Sequence, residues 1–464
     1  MRSFHSQGLW HVPAKPKDVL SGTLTYSPRD GLSLSVTGSF SEEFGRAPTS
    51  YPLIHGTVVD NPYGPLVTLV DCFPTQTRIS VPGFASEQIR ANRAYIGSLH
   101  LVAEDQSPFV AARVALTHLA EWSRLTGFTG ILFERPTPDT ISSQYRRPLP
   151  LEIGLEGENH LQIEVNPLVT QGGRRLEITE QVELAISGMR NSRPLEILRR
   201  IVSPLEDFLT FAAGAPSSVE EMVFIAESVD SPDRRNTVHL LYQPVSPLHE
   251  DRDVRQVTDM LFTWQDIHSS HLDLLQRWFR FRREFAGACD IFFGVQYAPP
   301  AYLETKILLL QTALGLLLTD RGHEEIGLQA VRSLKELPLT PRDHAWLSLL
   351  PSVNELALPW SAFAFIQDYP QLLRPLVGDD VEKFVTNLLT LRHQLFSFRD
   401  ALERRRSLQV EYLRLIEQLN LLIKVRVFEC LDFSRDEIAA LISQNRRYLN
   451  LVSGHYLREE SPQS

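Results

Sequence analysis

Arginine stays charged at every working pH and grips phosphate oxygens in pairs. Arg399, Arg404, Arg405, Arg406 and Arg414 lie close together in the last third of the chain. That spacing suits a strip that contacts a phosphate backbone. It equally suits a solvated helix face on which Glu403 and Glu411 pair with the arginines one turn away. A second polar group is Asp266-Ile-His268-Ser-Ser-His271-Leu-Asp273. Two histidines three apart on a helix can share a metal, but no third ligand set accompanies them, and a polar helix start is the simpler reading. Near the beginning, Trp10, His11, His55, Asp71, Asn92 and Arg93 either line a ligand pocket or serve core packing and turn hydrogen bonds. Cys72 has no base beside it in sequence and reads as a buried thiol.

Several chemistries are excluded outright. There is no Walker loop, no G-x-G-x-x-G behind a strand, no H-E-x-x-H and no G-x-S-x-G. The cysteines Cys72, Cys289 and Cys430 are too few and too dispersed for a disulfide framework or a thiolate zinc site. The net charge of −10 rules out a chain that coats nucleic acid by overall charge, though not a local basic patch. Met1–Trp10 lacks an apolar core, so no signal peptide is expected. The apolar part of Lys306–Asp320 is shorter than the ~20 residues a membrane span needs and reads as a buried helix. A cytoplasmic protein with reduced thiols is expected.

These groups need elements to hold them. At 464 residues, two to four domains are expected. Residues 1–150 read as strands divided by turns such as Ser27-Pro-Arg-Asp-Gly31 and Asp60-Asn-Pro-Tyr-Gly64. One helix is predicted over 108–126, from Val110, Val114, Leu119 and Trp122. Residues 151–262 form a second β-rich subdomain. It has a hairpin about Gly172-Gly173, strands near 222–227 and 237–242, and a helix over 194–211 kinked at Pro204. From 263 to 464 the periodicity turns helical. Helices are predicted over 272–285, 301–321, 327–335, 380–406, 408–431 and 434–451, the last opened by a capping box at Ser434 and Glu437. Charge follows this division. Residues 1–262 hold 23 basic and 31 acidic residues, and 263–464 hold 23 and 25. The fold class is α+β.

The N-terminal pattern runs Gly8-Leu-Trp10, Gly22-Thr-Leu24, Gly38-Ser-Phe40, Ile54-His-Gly56, Val67-Thr-Leu69, Asp71-Cys72, Ala91-Asn-Arg93, Gly97 and Gly127-Phe128. It resembles the N-terminal domain of the ApeA family of bacterial anti-phage proteins, and the helical part resembles the HEPN domain those proteins carry. The likeness spans essentially the whole chain. It implies a β-rich sensing region of two subdomains, a helical HEPN bundle that cuts host RNA in abortive infection, and a homodimer through that bundle. It implies no cofactor and no metal. RNA, tRNA included, and a phage-derived trigger are the implied partners, with no membrane.

The HEPN motif is an arginine, usually a polar residue, then a histidine four to six positions on. Histidine takes the proton of the 2′-hydroxyl, and arginine steadies the charge that builds on the phosphate. The matching segment implies Arg392 for the arginine and His393 for the polar neighbour, but Ser397 stands where the histidine belongs. Gly315 replaces an acid that relatives use to organise the arginine. On a helix, His393 and Ser397 share one face and Arg392 lies about 100° away, so His393 can replace the missing base. Arg399, Arg404, Arg405 and Arg406 would bind RNA. The alternative is a catalytically inactive HEPN protein that serves as sensor, dimerisation partner or regulator.

Overall fold

The computed structural model describes residues 1–40, 50–78, 85–103, 108–128, 145–154, 159–173, 175–190, 192–227, 236–244, 255–267, 271–297, 302–318, 353–397 and 405–453. The chain is α+β: strands fill its first half and helices its second. It divides into two compact units, residues 1–257 with 263–276, and residues 258–262 with 277–464.

In the first unit six antiparallel strands close on themselves. They are β1 (Phe4–His11), β2 (Leu20–Ser27), β3 (Gly31–Thr37), β4 (Tyr51–Val58), β5 (Leu66–Arg78) and β6 (Ser86–Gly97), in the order β3-β2-β1-β4-β5-β6, with β6 returning to β3. Alternation explains the closure. Trp10, Leu24, Leu34, Ile54, Leu69 and Ile89 all turn into one shared core, and closing the sheet leaves no edge in water. Two glycines make room. A Cβ on Gly56 would stand 2.3 Å from the Trp10 ring, and one on Gly97 would stand 2.1 Å from the Thr237 carbonyl. Glycine at 56 makes room for the Trp10 ring inside the barrel, and glycine at 97 lets the strand carrying Thr237 and Val238 approach β6.

Strand β6 is long enough to serve two partners. Residues 86–91 pair with β3, while residues 93–97 pair with β12 (Asn236–Tyr242). From there the sheet continues through β11 (Val219–Ala226), β7 (Phe109–Leu116), β10 (Arg175–Ser187) and β9 (His160–Gly172) to β8 (Leu151–Ile153) at its end. Strands on both sides of residue 150 thus belong to one sheet. Tyr95, Phe109 and Phe224 stack across β6, β7 and β11.

The helix predicted over 108–126 is instead strand β7 followed by a short helix α1 (Leu119–Ser123). Pairing with β10 on one side and β11 on the other outweighs a weak helical stripe, and the β-branched Val110 and Val114 suit a strand. The predicted kink is present. Helix α2 (Pro194–Ile197) passes through a π turn, Leu198–Val202, into α3 (Ser203–Ala213). The wide turn falls where Pro204 cannot donate a backbone hydrogen bond. A short α4 (Trp264–Ile267) and the start of the following helix complete the unit.

The second unit is helical among the described residues. Its helices are α5 (Leu274–Glu284), α6 (Ala286–Tyr297), α7 (Leu303–Leu318), α8 (Val353–Asp368), α9 (Pro370–Val377), α10 (Val381–Ser397), α11 (Arg405–Cys430), α12 (Arg435–Gln444) and α13 (Arg446–Val452). The capping box at Ser434 and Glu437 opens α12 as expected. Asn445 adopts an extended conformation and caps the next helix by accepting from Arg447 N at 3.1 Å, so the single helix predicted over 434–451 is two. The helix predicted over 327–335 lies outside the described residues. No helix among the described residues is long and apolar enough to cross a membrane.

Candidate functional site

Helix α10 carries Arg392, His393 and Ser397 within its last two turns. Asp380 starts it by accepting from Lys383 N at 2.9 Å, and Val381, Phe384 and Val385 bury its first turns. Among the described side chains, Gln311 ties the helix to α7. Gln311 Nε2 donates to the Leu388 carbonyl at 3.1 Å. In a regular α-helix that carbonyl also receives the N–H of residue 392, so the tie sits one turn ahead of Arg392. Gly315 lies four residues beyond Gln311, on the same face of α7. The face turned toward α10 therefore offers an amide at 311 and no side chain at 315. Arg405 and Arg406 begin α11, and Arg414 further along that helix is exposed. Arg399 and Arg404 lie outside the described residues.

Helix α11 is unusual for the polar groups it buries: Gln418, Asn420, Lys424 and Arg426. Each partner on view is a group that the bundle must satisfy. Gln418 Nε2 donates to the Leu376 carbonyl at 2.8 Å, and Asn420 Oδ1 accepts from Gln296 Nε2 at 3.0 Å. Arg426 Nε donates to the Leu317 carbonyl at 3.1 Å, and its Nη1 pairs with Glu429. Arg426 thus satisfies the C-terminal end of α7, where carbonyls lack helical partners. Nothing in the sequence pattern singled out Gln311 or Arg426, because a polar residue within an apolar helix looks like noise in a periodicity count.

In the strand unit the early candidates separate. Trp10 is a core residue whose Nε1 donates to the Gly22 carbonyl at 3.2 Å. Asp71 is half exposed, holds a left-handed conformation at φ 54, and pairs with Arg93 at 2.5 Å. Cys72 is fully buried, and burial with the neighbouring Asp71 charge pushes its thiol up to about 12, so it is not a nucleophile. His11 and His55 are cross-strand partners, and the rings of His55 and His100 stack at 4.5 Å. His55 Nε2 donates to the Leu101 carbonyl at 2.9 Å. Burial, then the His55 and His11 rings, lower His100 to about 4, and burial followed by His55 lowers His11. The three rings pack together, and burial favours the neutral forms of His100 and His11.

Two polar groups here were not legible in sequence. Glu87 is buried at one end of the barrel and accepts from Tyr51 Oη, Ser39 Oγ and Phe40 N. His118, in a left-handed conformation, meets Ser217 Oγ at 2.9 Å, while Thr210 Oγ1 accepts from Ser217 N. Beside them Glu206 accepts from Val219 N at 3.0 Å, and desolvation pushes its carboxyl up to about 8. Asp266 accepts from both Thr263 N and Oγ1, at 2.6 and 2.7 Å. It therefore caps α4, in keeping with a polar helix start. His268 lies outside the described residues, and among the described residues no group of three His, Cys, Asp or Glu is placed to hold a metal.

A family model, ApeA N-terminal domain 1, matches residues 5–278. The chain belongs to the ApeA family. The match covers the barrel, the extended sheet and α1 to α4, and it ends within α5. ApeA membership makes this an anti-phage defence protein family. Neither the curated proteins nor the solved structures contain a match.

Proposed function

We propose that this ApeA-family chain defends against phage by acting on RNA through its helical unit, as a metal-independent endoribonuclease of HEPN type. The observation that carries the reading is α10 itself. One continuous helix bears Arg392, His393 and Ser397, and it is tied to α7 one turn ahead of Arg392. In the proposed reaction the imidazole of His393 takes the proton of a 2′-hydroxyl. The freed oxygen attacks the adjacent phosphorus and the bond to the 5′-oxygen breaks; that oxygen takes up a proton from the imidazolium formed or from solvent water, and a cyclic 2′,3′-phosphate and a 5′-hydroxyl end result. Arg392 balances the charge on the non-bridging oxygens. Ser397 holds the position of the usual histidine and hydrogen-bonds substrate without moving a proton. Arg399, Arg404, Arg405 and Arg406 supply phosphate contacts, and a homodimer in the cytoplasm brings two such sites together. The strand unit would sense a phage-derived trigger.

A second reading rests on Gly315. With glycine in place of an acid at 315, the bundle would keep its shape and dimerise or regulate without cutting RNA. The deciding experiment incubates purified protein with total tRNA, with and without extract of infected cells. Wild type should yield cyclic-phosphate ends, while Arg392→Ala and His393→Ala should each lose at least about 100-fold in rate. Equal cleavage by His393→Ala would end the nuclease assignment to this helix. Absence of cleavage under every condition would leave the regulatory reading standing.

A further inference from the structure

Among the described residues the twelve-stranded sheet ends at β8, and β8 pairs only with β9, through Leu151–Ile163, Glu152–Gln162 and Ile153–Leu161. Its other edge borders a groove. One wall is Leu151, Glu152, Ile153 and Gly154, and the other is formed by Trp264, Leu272, Asp273, Leu275 and Gln276. About 180 Å³ of space lies between the walls and opens on solvent.

The composition of the strand wall indicates what fits. Side chains alternate between the two faces of a strand, so a pocket on one face would be lined by every second residue. Here four consecutive residues line it. The groove therefore follows the backbone edge, whose outward amides and carbonyls have no strand partner among the described residues. Opposite them stand apolar side chains, and Leu272 is 77% exposed although it lines the groove. An exposed leucine beside a free strand edge is the surface an added strand covers.

Charge selects the occupant. Glu152 is exposed at the middle of β8, and Asp273 adds a second carboxylate on the opposite wall. A second copy pairing β8 with β8 about a two-fold centred on the middle residue would set Glu152 against Glu152, which is unfavourable. We propose that this groove binds an extended, basic–apolar segment of another protein by strand addition to β8. A lysine or arginine would face Glu152, and large apolar side chains on either side of it would pack on Trp264, Leu272 and Leu275. The site lies wholly within the family-matched region and does not depend on the RNA reading.

The test uses the full-length protein and a fluorescein-labelled peptide, Thr-Phe-Lys-Phe-Thr, with blocked ends. Anisotropy should show saturable binding. Affinity should fall at least about tenfold when the central lysine becomes glutamate, when its amide is N-methylated, or when Leu272→Asp is introduced. Glu152→Lys should reverse the preference, so that the glutamate peptide binds better than the lysine peptide. Both substituted positions are exposed, and unchanged far-UV circular dichroism would show that the variants fold. Failure of the lysine peptide to bind would overturn the proposal. So would binding indifferent to N-methylation, which would mean apolar contact without strand pairing. A wild-type dimer that Leu272→Asp dissociates would assign the groove to a second copy and equally overturn it.

Discussion

The barrel and the helical unit solve the problem of buried polarity in opposite ways. The barrel interior is almost wholly apolar, with Trp10 at its centre and Glu87 confined to one end. Its backbone groups satisfy one another around the closed ring, so the core asks nothing of polar side chains. Helices cannot do this at their ends, where four carbonyls per helix lack partners. The helical unit therefore carries polar side chains into its interior: Arg426 and Gln418 each reach a carbonyl in the last turn of another helix, and Gln311 adds a second bond to a mid-helix carbonyl of α10. The barrel depends on shape and the bundle on polar ties. The same contrast decides where chemistry can sit. A polar tie already lies next to Arg392, whereas the thiol in the barrel core, Cys72, is held protonated by burial.

Substitution at the two centres should give the largest effects, by different mechanisms. Trp10→Ala empties the barrel core against Gly56 and should cost about 3–5 kcal/mol. Arg426→Met removes a buried guanidinium and orphans the Leu317 carbonyl and Glu429, at about 2–3 kcal/mol. Chemical denaturation followed separately by strand and helix signals checks both. The contrast fails if Arg426→Met proves neutral, because the bundle would then tolerate apolar replacement as a well-packed core does.

How far the sequence foretold this depends on the same distinction. Alternation in 20–37 and 51–70 is strong because each strand has one face on the barrel core, and turn residues mark the ends. Strand β7 was misread because it lies between two partners, and its buried positions no longer alternate. Helices α8 and α9 escaped notice, since Pro370 and Pro375 argue against helix by local propensity while Leu372, Leu373 and Leu376 are held by packing. For the candidate site, spacing placed Arg392, His393 and Ser397 on one helix. Gln311 could not be foreseen, because its relevance comes from a contact 77 residues away.

A smaller effect separates the units by pH. His100 is held neutral by burial and by His55 and His11, down to about 4 against an ordinary value of 6.5. A depressed histidine opposes protonation in the folded state, so the stability it contributes is full above 6.5 and lost as pH falls from 6.5 toward 4. Glu206 works in reverse. Its carboxyl is raised from 4.5 to about 8, so stability is greatest below 4.5 and declines as pH rises toward 8. The strand unit should therefore be most stable near the middle of this range. Urea denaturation across pH 4–8 should show the acid limb flattened by His100→Gln and the alkaline limb flattened by Glu206→Gln. If both limbs survive both substitutions, other groups set the profile.

The smallest effect probes the barrel surface. Asp71 sits in a left-handed conformation within β5 and pairs with Arg93, and its side chain is half in water. Screening by solvent limits the pair to about 0–1 kcal/mol. The backbone conformation is the larger cost for most residues, at roughly 1–2 kcal/mol, and asparagine and glycine largely avoid it. Asp71→Asn should therefore lose only the ion pair, and Asp71→Gly should be nearly as stable. Asp71→Ala should be the worst of the three by about 1 kcal/mol. Thermal denaturation of the three variants gives the order directly. If alanine matches asparagine, the left-handed conformation is a consequence of the ion pair and is lost without it. If alanine is worst, the backbone sets that conformation and Arg93 pairs with a carboxylate already in place.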